Sequence, residues 1–430
     1  MRAAEAFLDR AELTALQESR LAELLDEVLP RNPFYAEKFK AAAVRRADVR
    51  KLADLKRLPC TTKAELLADQ IAHPPYGSNL TYPVAQYTRM HQTSGSTSLP
   101  LRWLDTASSW ERMLSCWQTI FDITGITTAD RLFFAFSFGP FLGFWTAFEA
   151  GQRRGCLCLA GGGLSSVARL NMLLDHSATL VFCTPTYALR LAETAREHGI
   201  ELSKANSRYS IRALIVAGEP GGCIPATRAR IEDAWQARVF DHSGMTEVGP
   251  LAIECPEGPG GLHILEGDYW AEIVDPTSEQ MVAAGSTGEL VLTTLGRVGS
   301  PLLRYRTGDL VRLDDGPCPC GRTFLRLAGG ILGRADKMIH VRGNNIYPAA
   351  LENIIRRFRE VAEFRIVVSE QAHMTELRIE IEPECAGANL PERIGQVIRD
   401  ELLFRADVVL VKSLPRFEMK ASRVIQTGPG

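Results

Sequence analysis

The sequence predicts an α/β protein: a large N-terminal domain of helix-covered β-sheets with a β-rich subdomain, then a small α+β domain. Three observations carry this expectation. Short apolar runs ending in Gly or Pro alternate with helical stretches through the middle of the chain, the pattern of parallel sheet covered by helices. From residue 261 strands and turns replace that alternation. After Gly333 the order becomes strand, helix, two strands, helix, strand, which suits a compact α+β unit. The boundary is set between 332 and 333, giving domains 1–332 and 333–430.

Residues 4 to 30 read as one or two amphipathic helices, with Leu8, Leu13, Leu16, Leu21, Leu24 and Leu25 at helical spacing. Pro33 suits a turn or a helix start. In LPCTTKAELL, Thr61 or Thr62 can cap a helix and Glu65 can complete a capping box. The strands expected next are RLFFAFSF (131–138), TLVFCTP (179–185) and IRALIVAGEP (211–220). Helices are expected over 186–199 and 224–236. LHILEGDYWAEIVD and GELVLTTL are strand-like, with turns at Asp275-Pro276 and at 285–288. The last part comprises MIHVRG, a helix from Pro348, EFRIVVSE, ELRIEIEP, a helix from Pro391, and DVVLVKSLP.

Bulk properties exclude several classes. The 430 residues suffice for two or three domains with a large core. Hydrophobic residues make 46% and charged residues 23%, so a soluble globular chain is expected. A net charge of -2 gives no reason to expect a nucleic acid or an anionic membrane as partner. Ten cysteines are too sparse for a disulfide scaffold, and a reducing cytoplasm is expected. The acid-bearing N-terminus does not read as a signal peptide, and with no apolar run of about 18 residues no transmembrane helix is expected.

Three segments carry chemistry. His91-Gln92-Thr93-Ser94-Gly95-Ser96-Thr97-Ser98 places small hydroxyl residues around a Gly, so backbone and side-chain donors can approach an anion closely. By itself such a run is more often an ordinary loop. Asp241-His242-Ser243-Gly244-Met245-Thr246-Glu247 follows an expected strand, and its Thr and Glu can meet a phosphate and its Mg²⁺. Arg304-Tyr305-Arg306-Thr307-Gly308-Asp309-Leu310 puts a carboxylate after a basic strand, where it can hold ribose hydroxyls.

Together with CTPTYALRLAE, AGEP, GRADKMIHVRGNNIYPAALE and LPRFEMKASRVI, these segments resemble the adenylate-forming superfamily of acyl-CoA synthetases, luciferases and peptide-synthetase adenylation domains. More closely, the chain resembles the phenylacetate–coenzyme A ligase family, in whose order the segments stand across residues 58 to 425. The resemblance implies that Ser94, Gly95, Ser96 and Thr97 line the ATP phosphates and that Gly218, Glu219 and Pro220 border the adenine. It implies that Asp241, His242 and Thr246 lie along the nucleotide and that Glu247 binds Mg²⁺. Asp309, assisted by Arg334, would hold the ribose. Asp336 would be the hinge of a mobile C-terminal domain, and Lys420 would reach the carboxylate and the α-phosphate. The implied cofactors are ATP, Mg²⁺ and coenzyme A, and the implied assembly is a homodimer.

The chemistry fits these residue types. A carboxylate attacks the α-phosphate while pyrophosphate leaves; both reactants are anions, so charge neutralisation and alignment dominate. Two positions depart from the family pattern. Ser98-Leu99 stands where a Gly-Lys pair is usual, which would make Lys420 the chief protein cation. Ser243 stands where a Tyr often stacks on adenine, and His242 is one candidate to replace it.

Cys318-Pro319-Cys320-Gly321 follows the ribose motif, and Cys255 and His263 flank the Gly/Pro-rich ECPEGPGGLH. Three thiolates and one imidazole would complete a tetrahedral structural Zn²⁺ site; free thiols are the alternative. Cys156 and Cys158 lie in an apolar run and read as core. Phe136, Phe138, Phe141, Phe144 and Trp145 cluster after the first central strand. The resemblance makes Phe138 and Phe141 walls of the acid pocket, with Gly161, Gly162 and Gly163 leaving room for a flat ring. The expected substrate is therefore an aromatic or arylacetic acid, passed to coenzyme A. The alternatives are a carrier-protein arm or an amine as acceptor, and a degenerate nucleotide-binding regulatory protein.

Overall fold

The structure is a computed structural model that describes residues 2–93, 99–203, 206, 208–314, 316–335, 339–341, 344–371, 374–384, 389–417 and 423–427. Helices α1 (Arg10–Val28), α2 (Pro33–Ala41) and α3 (Lys63–Ala72) come first. Asp9 with Glu12 and Thr62 with Glu65 form capping boxes, and Pro33 is at the start of α2. The hairpin β1 (Tyr87–Gln92) and β2 (Arg102–Thr106) follows, then α4 (Ala107–Ile123).

The central layer alternates as expected: β3 (Arg131–Phe134), α5 (Trp145–Arg154), β4 (Leu157–Ala160), α6 (Ser166–Asp175), β5 (Leu180–Cys183), α7 (Pro185–Glu197), β6 (Ala213–Ala217), α8 (Pro225–Trp235), β7 (Arg238–Met245). Next come β8 (Gly249–Glu254), β9 (Gly261–Ile264), β10 (Tyr269–Val274), β11 (Thr287–Thr294), β12 (Tyr305–Arg312), β13 (Arg326–Ala328) and β14 (Gly333–Arg334). An eight-stranded sheet runs β13-β9-β8-β7-β6-β5-β3-β4. From β7 to β4 neighbours are parallel, and β8, β9 and β13 extend the sheet antiparallel.

Strand alternation divides the core into two layers. Leu132, Phe134, Leu180, Phe182, Ala213 and Ile215 face α4 and α5, where Trp110, Trp117 and Phe121 meet them. Phe133, Val181, Cys183, Leu214 and Val216 face α6, α7 and α8, including Leu191, Ile231 and Trp235. Strands buried on both faces need apolar residues at consecutive positions, which is why these segments are continuous apolar runs. Each fully buried large apolar side chain contributes about 1.5–3 kcal/mol.

The residues from Ile339 onward build their own core. β15 (Ile339–Val341) and β16 (Asn344–Ile346) form a hairpin; α9 (Pro348–Arg356), β17 (Val361–Gln371), β18 (Met374–Pro383), α10 (Leu390–Leu402), β19 (Asp407–Leu410) and β20 (Val424–Thr427) follow. The sheet order is β19-β18-β17-β20, antiparallel at its centre and parallel at both edges.

Four details differ from the sequence reading. The strand expected over 131–138 ends at Phe134, because after Ala135 donates to the Phe182 carbonyl at 2.9 Å the chain leaves the ladder. β9 belongs to the eight-stranded sheet, so the second sheet is β10-β11-β12-β14. Gly333–Arg334 forms a short strand paired with β12, which the sequence reading did not include. β16 and β20 were not foreseen; they are only three and four residues long.

Candidate functional site

In a parallel sheet, ligands bind beyond the carboxyl ends of the strands. Four such ends converge here. β3 leads into the aromatic loop at 135–144, β5 into Thr184-Pro185, β6 into Gly218-Glu219-Pro220, and β7 into Thr246-Glu247.

Glu247 is buried and accepts the Tyr305 hydroxyl at 2.9 Å. Lys63 Nζ, at the start of α3, lies 3.9 Å from the same carboxylate oxygen. Thr61 links these elements: its N–H donates to the Arg304 carbonyl at 2.8 Å, and its carbonyl accepts Arg306 N–H at 2.9 Å. Burial and the Glu247 charge push the Tyr305 phenol well above its ordinary pKa, so it donates its proton to Glu247.

The Thr246 turn is held from two sides. Its hydroxyl accepts the Leu142 N–H at 3.4 Å, tying it to the aromatic loop. Its carbonyl accepts Arg297 Nη1 at 2.8 Å. Arg297 grips Asp105 through two bonds of 2.7 and 2.6 Å, with both side chains buried.

Asp241 and His242 are successive strand residues and point to opposite faces. Asp241 accepts Cys223 N–H at 2.9 Å, and burial, then Glu254, push its carboxyl up to about 7. His242 turns toward α4, its ring 4.6 Å from Trp117, and its Nδ1–H donates to the Ala252 carbonyl at 2.8 Å. Burial lowers its pKa to about 4, so the ring is neutral. With 6% exposure, His242 is packed among core aromatic rings, the position that governs its candidacy as an adenine stack.

Glu219 accepts Thr186 N–H at 2.8 Å, anchoring the Gly218–Pro220 turn on the first turn of α7. Asp309 and Arg334 face each other across β12 and β14 with a 3.2 Å ion pair, and Arg334 also donates to the Thr307 carbonyl at 2.7 Å. Gly308 permits this. Its φ is +75°, and a Cβ there would lie 2.7 Å from Arg334 Nη2.

Phe138 packs against Phe136, Trp145 and Phe148 at centroid distances of 4.6, 4.8 and 5.3 Å. Phe141 covers Gly139 and Gly143, where a Cβ would lie 2.8 and 3.0 Å from its ring. The expected space beside two of the glycines is taken by the protein: a Cβ on Gly161 would lie 2.7 Å from Phe133, and one on Gly162 would lie 3.2 Å from Phe138. Gly163 alone of the three faces open space.

Cys255, His263, Cys318 and Cys320 come together with all four ligand atoms within 4.8 Å of one another. Cys255 and Cys318 sulfurs are 3.3 Å apart, Cys318 and Cys320 sulfurs 3.4 Å, and Cys320 Sγ is 3.4 Å from His263 Nε2. His263 Nδ1–H donates to the Phe324 carbonyl at 2.9 Å, which leaves Nε2 facing the Cys320 sulfur. The β9–β13 pairing sets Arg326 opposite His263 and so brings the loop carrying Cys318 and Cys320 over it. Cys156 and Cys158 lie at β4 against the core, as read from the sequence. Ser94, Gly95, Ser96, Thr97, Asp336 and Lys420 lie outside the described residues.

The AMP-binding enzyme family profile matches residues 84–296, and the AMP-binding enzyme C-terminal domain profile matches residues 343–427. Phenylacetate–coenzyme A ligase of Escherichia coli (strain K12) is 32% identical over 426 residues, covering 96% of this chain and 94% of that protein. The chain belongs to the phenylacetate–coenzyme A ligase family. The ligase of that name from Thermus thermophilus is 31% identical over 403 residues, 93% of this chain and 87% of its own. Among solved structures, 2-hydroxyisobutyryl-CoA ligase in its postadenylation state with 2-HIB-AMP superposes with a TM-score of 0.92 at 29% identity, covering 99% of this chain and 91% of that one. The same ligase with 2-HIB-AMP and CoA in the thioesterification state gives 0.75, covering 99% and 92%.

Several residues around this family's motifs were not foreseen: Asp105 and Arg297, Tyr305 as the Glu247 partner, Lys63, and Trp117 beneath His242. Asp105 and Arg297 are 192 positions apart, and neither stands in a recognisable motif. Lys63 was visible only as part of a capping segment.

Proposed function

We propose that this chain is an AMP-forming acid–CoA ligase acting on an aromatic or arylacetic acid. An acid oxygen bonds to the α-phosphorus of ATP, the α–β anhydride breaks, and pyrophosphate leaves. The CoA thiol then adds to the acyl carbon and AMP departs. The observation that carries this reading is the Tyr305–Glu247 hydrogen bond, which joins the Thr246-Glu247 turn to the strand that carries Asp309 and its Arg334 partner, in a chain of this family.

In this reading Gly218, Glu219 and Pro220 border the adenine, and Asp241, His242 and Thr246 lie along the nucleotide. Asp309 and Arg334 hold the ribose, and Ser94 to Thr97 enclose the phosphates. Glu247 would hold Mg²⁺, which would supply positive charge to the phosphates. Lys420 attends the carboxylate and the α-phosphate, with Asp336 as the pivot between parts 1–332 and 333–430. The aromatic loop, packed by Phe136, Phe138 and Phe148 and tied to Thr246, supports a flat apolar acid.

The donor set Cys255, His263, Cys318 and Cys320 fits a structural Zn²⁺ in number, chemistry and the Nε2-facing tautomer. The ion would cross-link the end of β8, β9 and the loop before β13. A homodimer and a cytoplasmic location complete the proposal; no described helix is long and apolar enough to cross a membrane.

Pyrophosphate release measured over a panel of acids, with and without CoA, tests the reading. Release that depends on an aryl acid and needs no CoA supports it. No release with any acid tested contradicts it.

A further inference from the structure

Four charged side chains of the C-terminal part cluster together; Arg356 and Glu363 are buried, and Arg423 and Glu352 are half-buried. Arg423 Nε and Nη2 donate to the two carboxylate oxygens of Glu363 at 2.8 and 3.1 Å, and its Nη1 lies 3.7 Å from Glu352. Arg356 completes the cluster, 3.2 Å from Glu363. Two bonds join this group to the larger part: Arg423 Nη1 donates to Thr186 Oγ1 on α7 at 3.2 Å, and the Thr227 hydroxyl on α8 donates to Glu352 at 3.5 Å. The backbone of Thr186 in turn donates to Glu219 at 2.8 Å. A continuous chain of contacts therefore joins the strand end three residues beyond Lys420 to the Gly218–Pro220 turn. Burial works against the Arg423 charge, but Glu352 and Glu363 outweigh it and hold its pKa above the ordinary arginine value.

The arrangement that makes this contact matches one state of a homologous ligase. The 2-hydroxyisobutyryl-CoA ligase superposes at a TM-score of 0.92 in its postadenylation state and at 0.75 in its thioesterification state. Thr186 is a suitable reporter because its two polar groups face different parts of the molecule. Its hydroxyl receives the C-terminal arginine, and its N–H holds the nucleotide-side carboxylate.

We propose that Arg423 is a positioning residue for adenylation: by docking on Thr186 it fixes the Thr186–Glu219 contact only when the C-terminal part is closed for the first half-reaction. The inference rests on the AMP-forming reading above. It assigns no role to Arg423 in the second half-reaction.

The test uses the full chain with Thr186→Val and, separately, Arg423→Ala. Two rates are measured: acid-dependent ATP–pyrophosphate exchange, and thioester formation from supplied acyl-adenylate and CoA. Thr186→Val should lower exchange by about tenfold, the loss of one hydrogen bond from a charged donor, mainly by raising KM for ATP. Thioester formation should be unchanged. Arg423→Ala should behave the same way and lose more. If it fails to fold, Thr186→Val decides, because that variant leaves the Arg423–Glu363 pair in place. Equal losses in both half-reactions, or unchanged exchange, overturn the inference while the wild-type activity stands. A wild-type chain that performs neither half-reaction with any acid overturns the functional reading itself, and this inference falls with it.

Discussion

Replacing Arg297 by Met removes the guanidinium that joins three elements: Asp105 at the end of β2, the Thr246 carbonyl, and the segment between β11 and β12. Both partners of the ion pair are buried, at 3% and 0% side-chain exposure. Removing one charge leaves Asp105 without its counter-ion in the interior, a change that costs about 3–5 kcal/mol. For a folding unit of this size each kcal/mol shifts Tm by about 2–4 °C, so a loss of about 10 °C is expected. Thermal unfolding followed by circular dichroism reads this directly. The double variant Arg297→Met, Asp105→Leu removes both charges and should recover most of the loss, since apolar replacement of a whole buried pair is often neutral. Adenylation should stay low in the double variant, because the Thr246 carbonyl still lacks its donor. An Arg297→Met protein that melts within a degree of wild type, with unchanged pyrophosphate exchange, refutes this account of the Thr246 turn.

Other consequences follow from single contacts. Gly308→Ala forces a side chain into the left-handed region, costing about 1–2 kcal/mol, and pushes Arg334 away from Asp309. KM for ATP should rise more than kcat falls; an unchanged KM would exclude a ribose role for the pair. His242 is held neutral with a pKa of about 4, below the ordinary 6.5. A depressed imidazole pKa contributes stability that is present above pH 6.5 and lost as pH falls toward 4. The stability advantage of wild type over His242→Gln should therefore narrow across that window by up to about 3 kcal/mol. Asp241 also titrates there but is common to both proteins, and a pH-independent difference in urea unfolding would contradict the assignment. Purified protein should contain about one zinc per chain, and Cys318→Ser should lose most of it and melt lower. Metal analysis that finds no zinc in wild type would leave four neighbouring side chains without that ion.

Much of this was legible in the sequence because local chemistry and tertiary structure agree. Thr62 with Glu65 announced α3, and the apolar runs named β5 and β6. The cysteine–histidine quartet was legible because Cys-x-Cys-Gly is an unusual local pattern, and the fold brings its distant partners to it. Where the reading failed, long-range pairing decided. β9 looked like the first strand of a separate sheet, but its partners are β8 and β13. Phe136 and Phe138 continued an apolar run yet leave the ladder to build the aromatic loop. Gly161 and Gly162 looked like vacant space, but the fold packs Phe133 and Phe138 against them. Strand alternation could have separated Asp241 from His242 in advance; which of the two meets the core required α4 and Trp117. Arg423 carried no local signal, since its meaning lies in Thr186, 237 positions away.

The central claim is that an acid is activated as its adenylate before any thiol takes part. Incubation with ATP, Mg²⁺ and an arylacetic acid in the absence of CoA, followed by mass spectrometry of the quenched mixture, tests it directly. The account predicts an enzyme-bound acyl-AMP that converts to acyl-CoA and AMP once CoA is added. Acyl-CoA formed with no acyl-AMP before it, or ADP and phosphate in place of AMP and pyrophosphate, would contradict it.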